Sequence, residues 1–222
     1  MVISFMRRFL FVHVYKAAGM SVEKALKPFD VRAGLAGYAP HDQREMLKGL
    51  GFNPAILDMQ RHTSAAEIRD ALGDELFGKL FKFAFVRNPW DLQLSLYHFN
   101  LKHPEFSGDG AALRAKDFED FILSRKKTDR HPLGQQKRFV VDRDGAPLMD
   151  FVGRFENLAA DFAEICTRLN ARNLALEHIN RTEHKPWQQS YTRAMFDVVR
   201  EVHAPDIEYF GYAADPAAYG IT

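Results

Sequence analysis

Phe9-Leu10-Phe11-Val12-His13-Val14, running into Tyr15-Lys16-Ala17-Ala18-Gly19 and then Met20 to Lys27, decides the fold. The first part is a continuous β-favouring run, the pattern of a strand buried on both faces. A short turn containing Gly19 follows, then a segment of helical composition that stops at Pro28. Strand, turn and helix in that order open an α/β unit. The chain does this again. Phe81-Lys82-Phe83-Ala84-Phe85-Val86 reads as a second buried strand, and Arg87-Asn88-Pro89-Trp90 follows it. Leu92, Leu96 and Phe99 then recur at helical spacing, with Pro89 where a first-turn proline is tolerated.

Between these units, residues Pro40 to Gly73 are predicted mostly helical, with loops near Asn53-Pro54 and at Arg61-His62-Thr63-Ser64. Ser64 heads a helix whose Glu67 stands in a capping-box position. Farther on, Phe118, Phe121 and Ile122 predict an amphipathic helix, and Ser124 to Arg138 is a polar, basic stretch with a turn at Pro132-Leu133-Gly134. Phe139-Val140-Val141 and Leu148 to Val152, around Asp144-Gly145, predict a hairpin or two short strands. Phe155, Leu158, Phe162, Ile165 and Leu169 give the clearest helical stripe. A loop with His178, Asn180, His184 and Trp187 leads to a last helix around Tyr191 to Val202. No repeat or linker divides the chain. The expectation is one α/β domain over residues 1–222, a central parallel β-sheet flanked by helices.

With 222 residues, 46% of them hydrophobic and 19 of them Phe, the chain can bury a full core, which excludes disorder. Its 30 basic and 29 acidic residues leave a formal charge of +1, so bulk charge does not recruit nucleic acid. A polyanion must instead meet a local cluster. Cys166, the single cysteine, excludes an internal disulfide framework and a cysteine-rich zinc site. No run approaches the roughly 20 apolar residues of a membrane span, and no signal-peptide pattern is visible. A cytoplasmic protein is the expectation.

The chemistry is expected at the two strand-loop-helix corners. Ligands of open parallel sheets bind beyond the carboxyl ends of the strands, where helix N-termini offer unpaired N–H groups to phosphate or sulfate. The first corner adds Lys16 as a point charge, Gly19 for close backbone approach and Ser21 as a hydroxyl in the first helical turn. The second adds Arg87 at the strand end and Ser95 on the following helix. Two anion sites on neighbouring strands suit a ligand with two separated anionic groups. The first corner is not a Walker A loop, which needs lysine directly after glycine, whereas Lys16 precedes Gly19. No Walker B aspartate ends a hydrophobic strand, which disfavours a magnesium-dependent nucleotide hydrolase.

Lys16-Ala17-Ala18-Gly19-Met20-Ser21, after a Phe-Val-His-Val strand, resembles the 5′-phosphosulfate loop of sulfotransferases that use 3′-phosphoadenosine-5′-phosphosulfate (PAPS). The likeness is to the carbohydrate-modifying branch and its P-loop-NTPase-like architecture. Phe83 to Asp91, with Ser95 and Tyr97, resembles that family's 3′-phosphate segment. Asp150-Phe151-Val152-Gly153-Arg154-Phe155-Glu156-Asn157-Leu158 and Asp206 to Tyr212 are also similar, so the likeness covers about Phe9 to Tyr212. The chain departs from the pattern at Ala17 and Met20, where threonines are usual, at Tyr15, where proline is common, and at Leu92, where arginine is frequent.

The resemblance implies sulfuryl transfer from PAPS to a hydroxyl of a saccharide, glycolipid or similar acceptor, without a metal. It implies Lys16 at the leaving phosphate, residues Lys16 to Ser21 around the donor, and Arg87 and Ser95 on its 3′-phosphate. It also implies a catalytic histidine ahead of the helix beginning at Ala65, which is His62, a base with an ordinary pKa of about 6.5. His13 is the other candidate. Two further readings stay open, a P-loop-like kinase and a non-catalytic nucleotide-binding protein of the same fold. Blander roles also stand: Arg87 paired with a nearby carboxylate, Cys166 buried and inert, and Trp90, Trp187 and Tyr191 as core aromatics. His98 and His103 lack a third ligand at metal-binding spacing.

Overall fold

The computed structural model describes residues 1–107, 110–125, 135–177 and 186–222. The chain begins with strands β1 (Val2–Ser4) and β2 (Phe9–Val12). Helices α1 (Gly19–Leu26), α2 (Val31–Leu35), α3 (Pro40–Gly49), α4 (Ala65–Leu72) and α5 (Asp74–Gly78) lead to β3 (Phe81–Val86). Next come α6 (Pro89–Lys102), α7 (Ala111–Arg114) and α8 (Phe118–Arg125), then β4 (Phe151–Arg154). Helices α9 (Leu158–Arg168), α10 (Arg193–Val202) and α11 (Ala204–Phe210) follow. The expected turn at Pro132-Leu133-Gly134, and the loop residues His178, Asn180 and His184, lie outside the described residues. The chain falls into two compact units, Met1–Val86 with Arg138–Ile179, and Arg87–Lys137 with Asn180–Thr222.

The first unit carries the sheet, in the order β1-β2-β3-β4. The expected parallel pair is there, β2 against β3 with Phe9 to Val12 opposite Phe81 to Ala84, and β4 adds a further parallel strand beside β3. One edge adds β1, antiparallel to β2, which makes an otherwise parallel sheet mixed. The fold is α/β, with helices flanking a mostly parallel sheet. Phe9, Phe11, Phe83 and Phe85 are essentially buried, as a sheet covered on both faces requires. Each such side chain contributes about 1.5–3 kcal/mol by leaving water. A smaller core forms around Leu35, Leu47 and Ile56, where Phe5 and Phe52 stack at 3.9 Å.

The predicted hairpin is present but shorter than expected. Val141 bridges Pro147 across a turn at Gly145, whose φ of 88° favours glycine, and residues 151–154 then leave as β4 to pair parallel with β3. Gly153 has no room for a side chain, since a Cβ would meet the Phe85 ring at 2.5 Å. The predicted capping box of α4 is present: Ser64 Oγ accepts from the Glu67 N–H, and the Glu67 carboxylate accepts from the Ser64 N–H at 2.8 Å. Arg69 on α4 grips Asp142 through two bonds of 2.8 Å, tying the helix to the segment before β4. On α9, the Cys166 thiol is buried, and burial raises its pKa.

In the second unit, Trp90 is fully buried and stacks on Phe196 at 4.3 Å, with its indole N–H donating to the Phe196 carbonyl at 3.1 Å. Trp187 and Tyr191 are buried beside it, and the Tyr191 hydroxyl donates to the Trp90 carbonyl. These aromatics are core. The last predicted helix starts at Arg193 rather than Tyr191, because the Thr192 hydroxyl caps it.

Candidate functional site

The first corner is shaped by backbone. Past β2 the chain turns through Lys16 and Ala18, both left-handed at φ of 58° and 60°. That conformation costs a residue with a side chain about 1–2 kcal/mol. Ala18 is the N-cap of α1; no side chain caps this end, and no acidic residue stands in the first turn. No first-turn carboxylate therefore competes with an anion at the positive end of the helix dipole. Lys16 is half-buried, Ser21 is buried in the first turn, and Met20 is exposed. Ala17 is packed inside, so the methyl that replaces a hydroxyl serves the core.

Gly19 has a reason the sequence does not disclose. A Cβ there would lie 1.9 Å from Cδ2 and 2.0 Å from Nε2 of His13. The His13 ring occupies the space a side chain would need. His13 is buried, and its Nδ1 donates to Glu23 Oε2 at 3.0 Å, an oxygen that Arg61 Nε also reaches at 3.0 Å. Burial pushes the His13 pKa below its ordinary value, against the pull of Glu23. For Glu23, burial alone would raise the pKa, but the bond from His13 and nearby positive charges hold it down to about 2. His13 is thus wedged between Gly19 and a charged carboxylate.

His62 sits against the same corner. Its Nδ1 is 2.9 Å from the His13 carbonyl, and its ring stacks on Tyr15 at 3.6 Å and meets His13 edge-on at 4.5 Å. A carbonyl only accepts, so Nδ1 carries the proton and Nε2 keeps the lone pair. The expectation of an ordinary pKa does not hold: burial, then the neighbouring His13, brings His62 to about 4. At neutral pH the ring is uncharged, with Nε2 able to accept a proton.

At the second corner, Asn88 caps α6, its Oδ1 accepting from the Trp90 and Asp91 N–H groups. Arg87 is buried, and its Nε donates to Asp91 Oδ2 at 2.8 Å, the carboxylate partner weighed from sequence. Ser95 is buried on α6, as is Leu92. Because β2 and β3 are parallel and in register, the strands leading into Lys16 and into Arg87 end at one edge of the sheet. The first unit thus brings Lys16 to Ser21 and His62 together, whereas Arg87 and Ser95 belong to the second. Among the described residues, no group of three or more His, Cys, Asp or Glu is placed to hold a metal.

A family model described as "Sulfotransferase family" matches residues 1–213. The chain belongs to the sulfotransferase family. Sulfuryl transfer is accordingly its reaction class, and the chain is read as an enzyme that acts on a hydroxyl-bearing acceptor. This sulfotransferase is also 31% identical, over 110 residues, to an uncharacterized protein of Archaeoglobus fulgidus; the match spans 46% of this chain and 78% of that one. No solved structure matches the chain. Among its described residues, no helix is long and apolar enough to cross a membrane.

Proposed function

We propose that the chain, acting as one sulfotransferase domain over residues 1–222, transfers the sulfuryl group of PAPS to a hydroxyl of a carbohydrate or glycolipid. The observation that carries this reading is the first corner, where a helix end without a side-chain cap and Lys16 stand with a histidine whose Nε2 keeps its lone pair. In the transfer, the bond from sulfur to the leaving phosphate oxygen breaks as the bond to the acceptor oxygen forms. Lys16 and the amides of α1 meet the charge that grows on the leaving phosphate. The acceptor proton goes to His62 Nε2. Arg87 and Ser95 grip the 3′-phosphate away from the reacting centre, with Asp91 orienting the Arg87 side chain. Negative charge brought in beside His62 raises its pKa from about 4 towards neutrality, strengthening the base when donor is present.

The test measures binding and turnover separately. Calorimetry with 3′-phosphoadenosine 5′-phosphate (PAP) should show binding that Lys16→Ala and Arg87→Ala each weaken about ten- to a hundredfold, the worth of a hydrogen bond to a charged group. Magnesium ATP should not substitute. A saccharide panel assayed with radiolabelled donor should show transfer that His62→Ala slows about 10²–10⁴-fold at unchanged PAP affinity. Affinity unchanged in both charge variants would sink the two-anion site. Tight PAP binding without transfer to any acceptor would favour the nucleotide-binding reading, which Ala17 and Met20 in place of hydroxyl residues suggest.

A further inference from the structure

Arg87 is held at its backbone by a side chain far along the chain. Its N–H donates to Gln136 Oε1 at 2.8 Å, and Gln136 Nε2 donates back to the Arg87 carbonyl at 2.7 Å, both within the interior. A neighbouring strand supplies such a pair of bonds in a sheet. Here a side-chain amide supplies it, at the residue directly after β3. Gln136 is fixed in turn, since its own N–H and that of Lys137 donate to Oδ2 and Oδ1 of Asp206, each at 2.8 Å. Asp206, in the first turn of α11, is fully buried. A carboxylate out of water is costly unless hydrogen-bonded, and two backbone N–H groups answer that cost, with His203 Nδ1 at 3.6 Å. On its side chain, Arg87 is held separately by Asp91.

We propose that Gln136 and Asp206 are positioning residues for the 3′-phosphate subsite, acting through Arg87. This rests on the assignment of Arg87 to that phosphate. An arginine pre-set in its binding geometry gives up less freedom when the anion arrives, and a small misplacement of a charged contact forfeits much of its worth. Gln136 contributes that order at the main chain, where Asp91 does not act. Asp206 contributes it one step back, by fixing Gln136.

The test compares PAP with adenosine 5′-phosphate, which lacks the 3′-phosphate, on the full chain. Gln136→Met keeps the volume and removes both bonds. PAP affinity should fall about tenfold while adenosine 5′-phosphate affinity stays, and the variant should add nothing further in an Arg87→Ala background. Asp206→Asn, which turns one acceptor towards an N–H as a donor, should give the same signature more weakly, and it decides the matter if Gln136→Met does not fold. A fall in both affinities together, no fall in either, or additive effects with Arg87→Ala would overturn the positioning role alone. If Arg87→Ala itself leaves the ratio of the two affinities unchanged, the assignment of Arg87 fails and takes this inference with it.

Discussion

The two corners follow strands of one sheet yet are built by opposite means. The first is a backbone construction: left-handed Lys16 and Ala18, a helix end without a side-chain cap, and a glycine beneath a histidine ring. The second is a side-chain construction, in which Asn88 caps the helix and Gln136 and Asp91 hold Arg87. A corner built from backbone sets a half-buried lysine beside a helix end that has no acidic residue in its first turn. A corner built from buried side chains spends its polar groups on order and offers a fixed cation. That division accords with the separate roles proposed above for Lys16 and for Arg87.

The sharpest way to break this contrast is Gly19→Ala. With a Cβ 1.9 Å from the His13 ring, the ring or the loop must shift, and urea unfolding should show a loss of about 1–3 kcal/mol, the range of an overpacked core. Adding His13→Ala to it should recover part of that loss; a wild-type midpoint for Gly19→Ala alone would deny the wedge. A smaller effect is expected from acid. His13 and His62 both have folded pKa values below their ordinary 6.5, so between about 6.5 and about 4 the unfolded chain holds more protons. Stability should be full above pH 6.5 and decline as pH falls towards 4, and His62→Asn should flatten that slope in unfolding midpoints measured across the range. Below that window, Glu23 adds its own loss between its ordinary 4.5 and about 2. Smallest is Asn88→Ala at the second corner, which removes a helix cap worth about 1 kcal/mol. A cost above that of Gly19→Ala would reverse the ranking of backbone over side chain.

What the sequence disclosed follows from how local each signal is. β3 was legible at its full length because Phe81 to Val86 is an apolar run broken only by Lys82 and followed by Arg87-Asn88-Pro89, and the α4 cap was legible because Ser64 and Glu67 carry it within one turn. The family motifs were legible for the same reason. β1 was not, since Val2–Ser4 becomes a strand only through its pairing with β2. The partner of β4 was missed because Phe151 to Arg154 pairs with residues far back in the chain, while Val141 and Pro147 account for the hairpin signal. At the site, Lys16, Arg87 and His62 were named from their neighbours in sequence. The depressed pKa of His62, the ring over Gly19 and the amide on Arg87 depend on burial and on residues that spacing does not connect.

Cys166 offers a practical opening. Its sulfur lies inside α9's packed face with a pKa lifted by burial, so thiol-selective reagents should pass it by in the native state. A cysteine introduced at exposed Met20, within the proposed donor loop, would then be the sole attachment point for a fluorophore, and ligand arrival could be followed by light without first stripping the chain of its natural thiol.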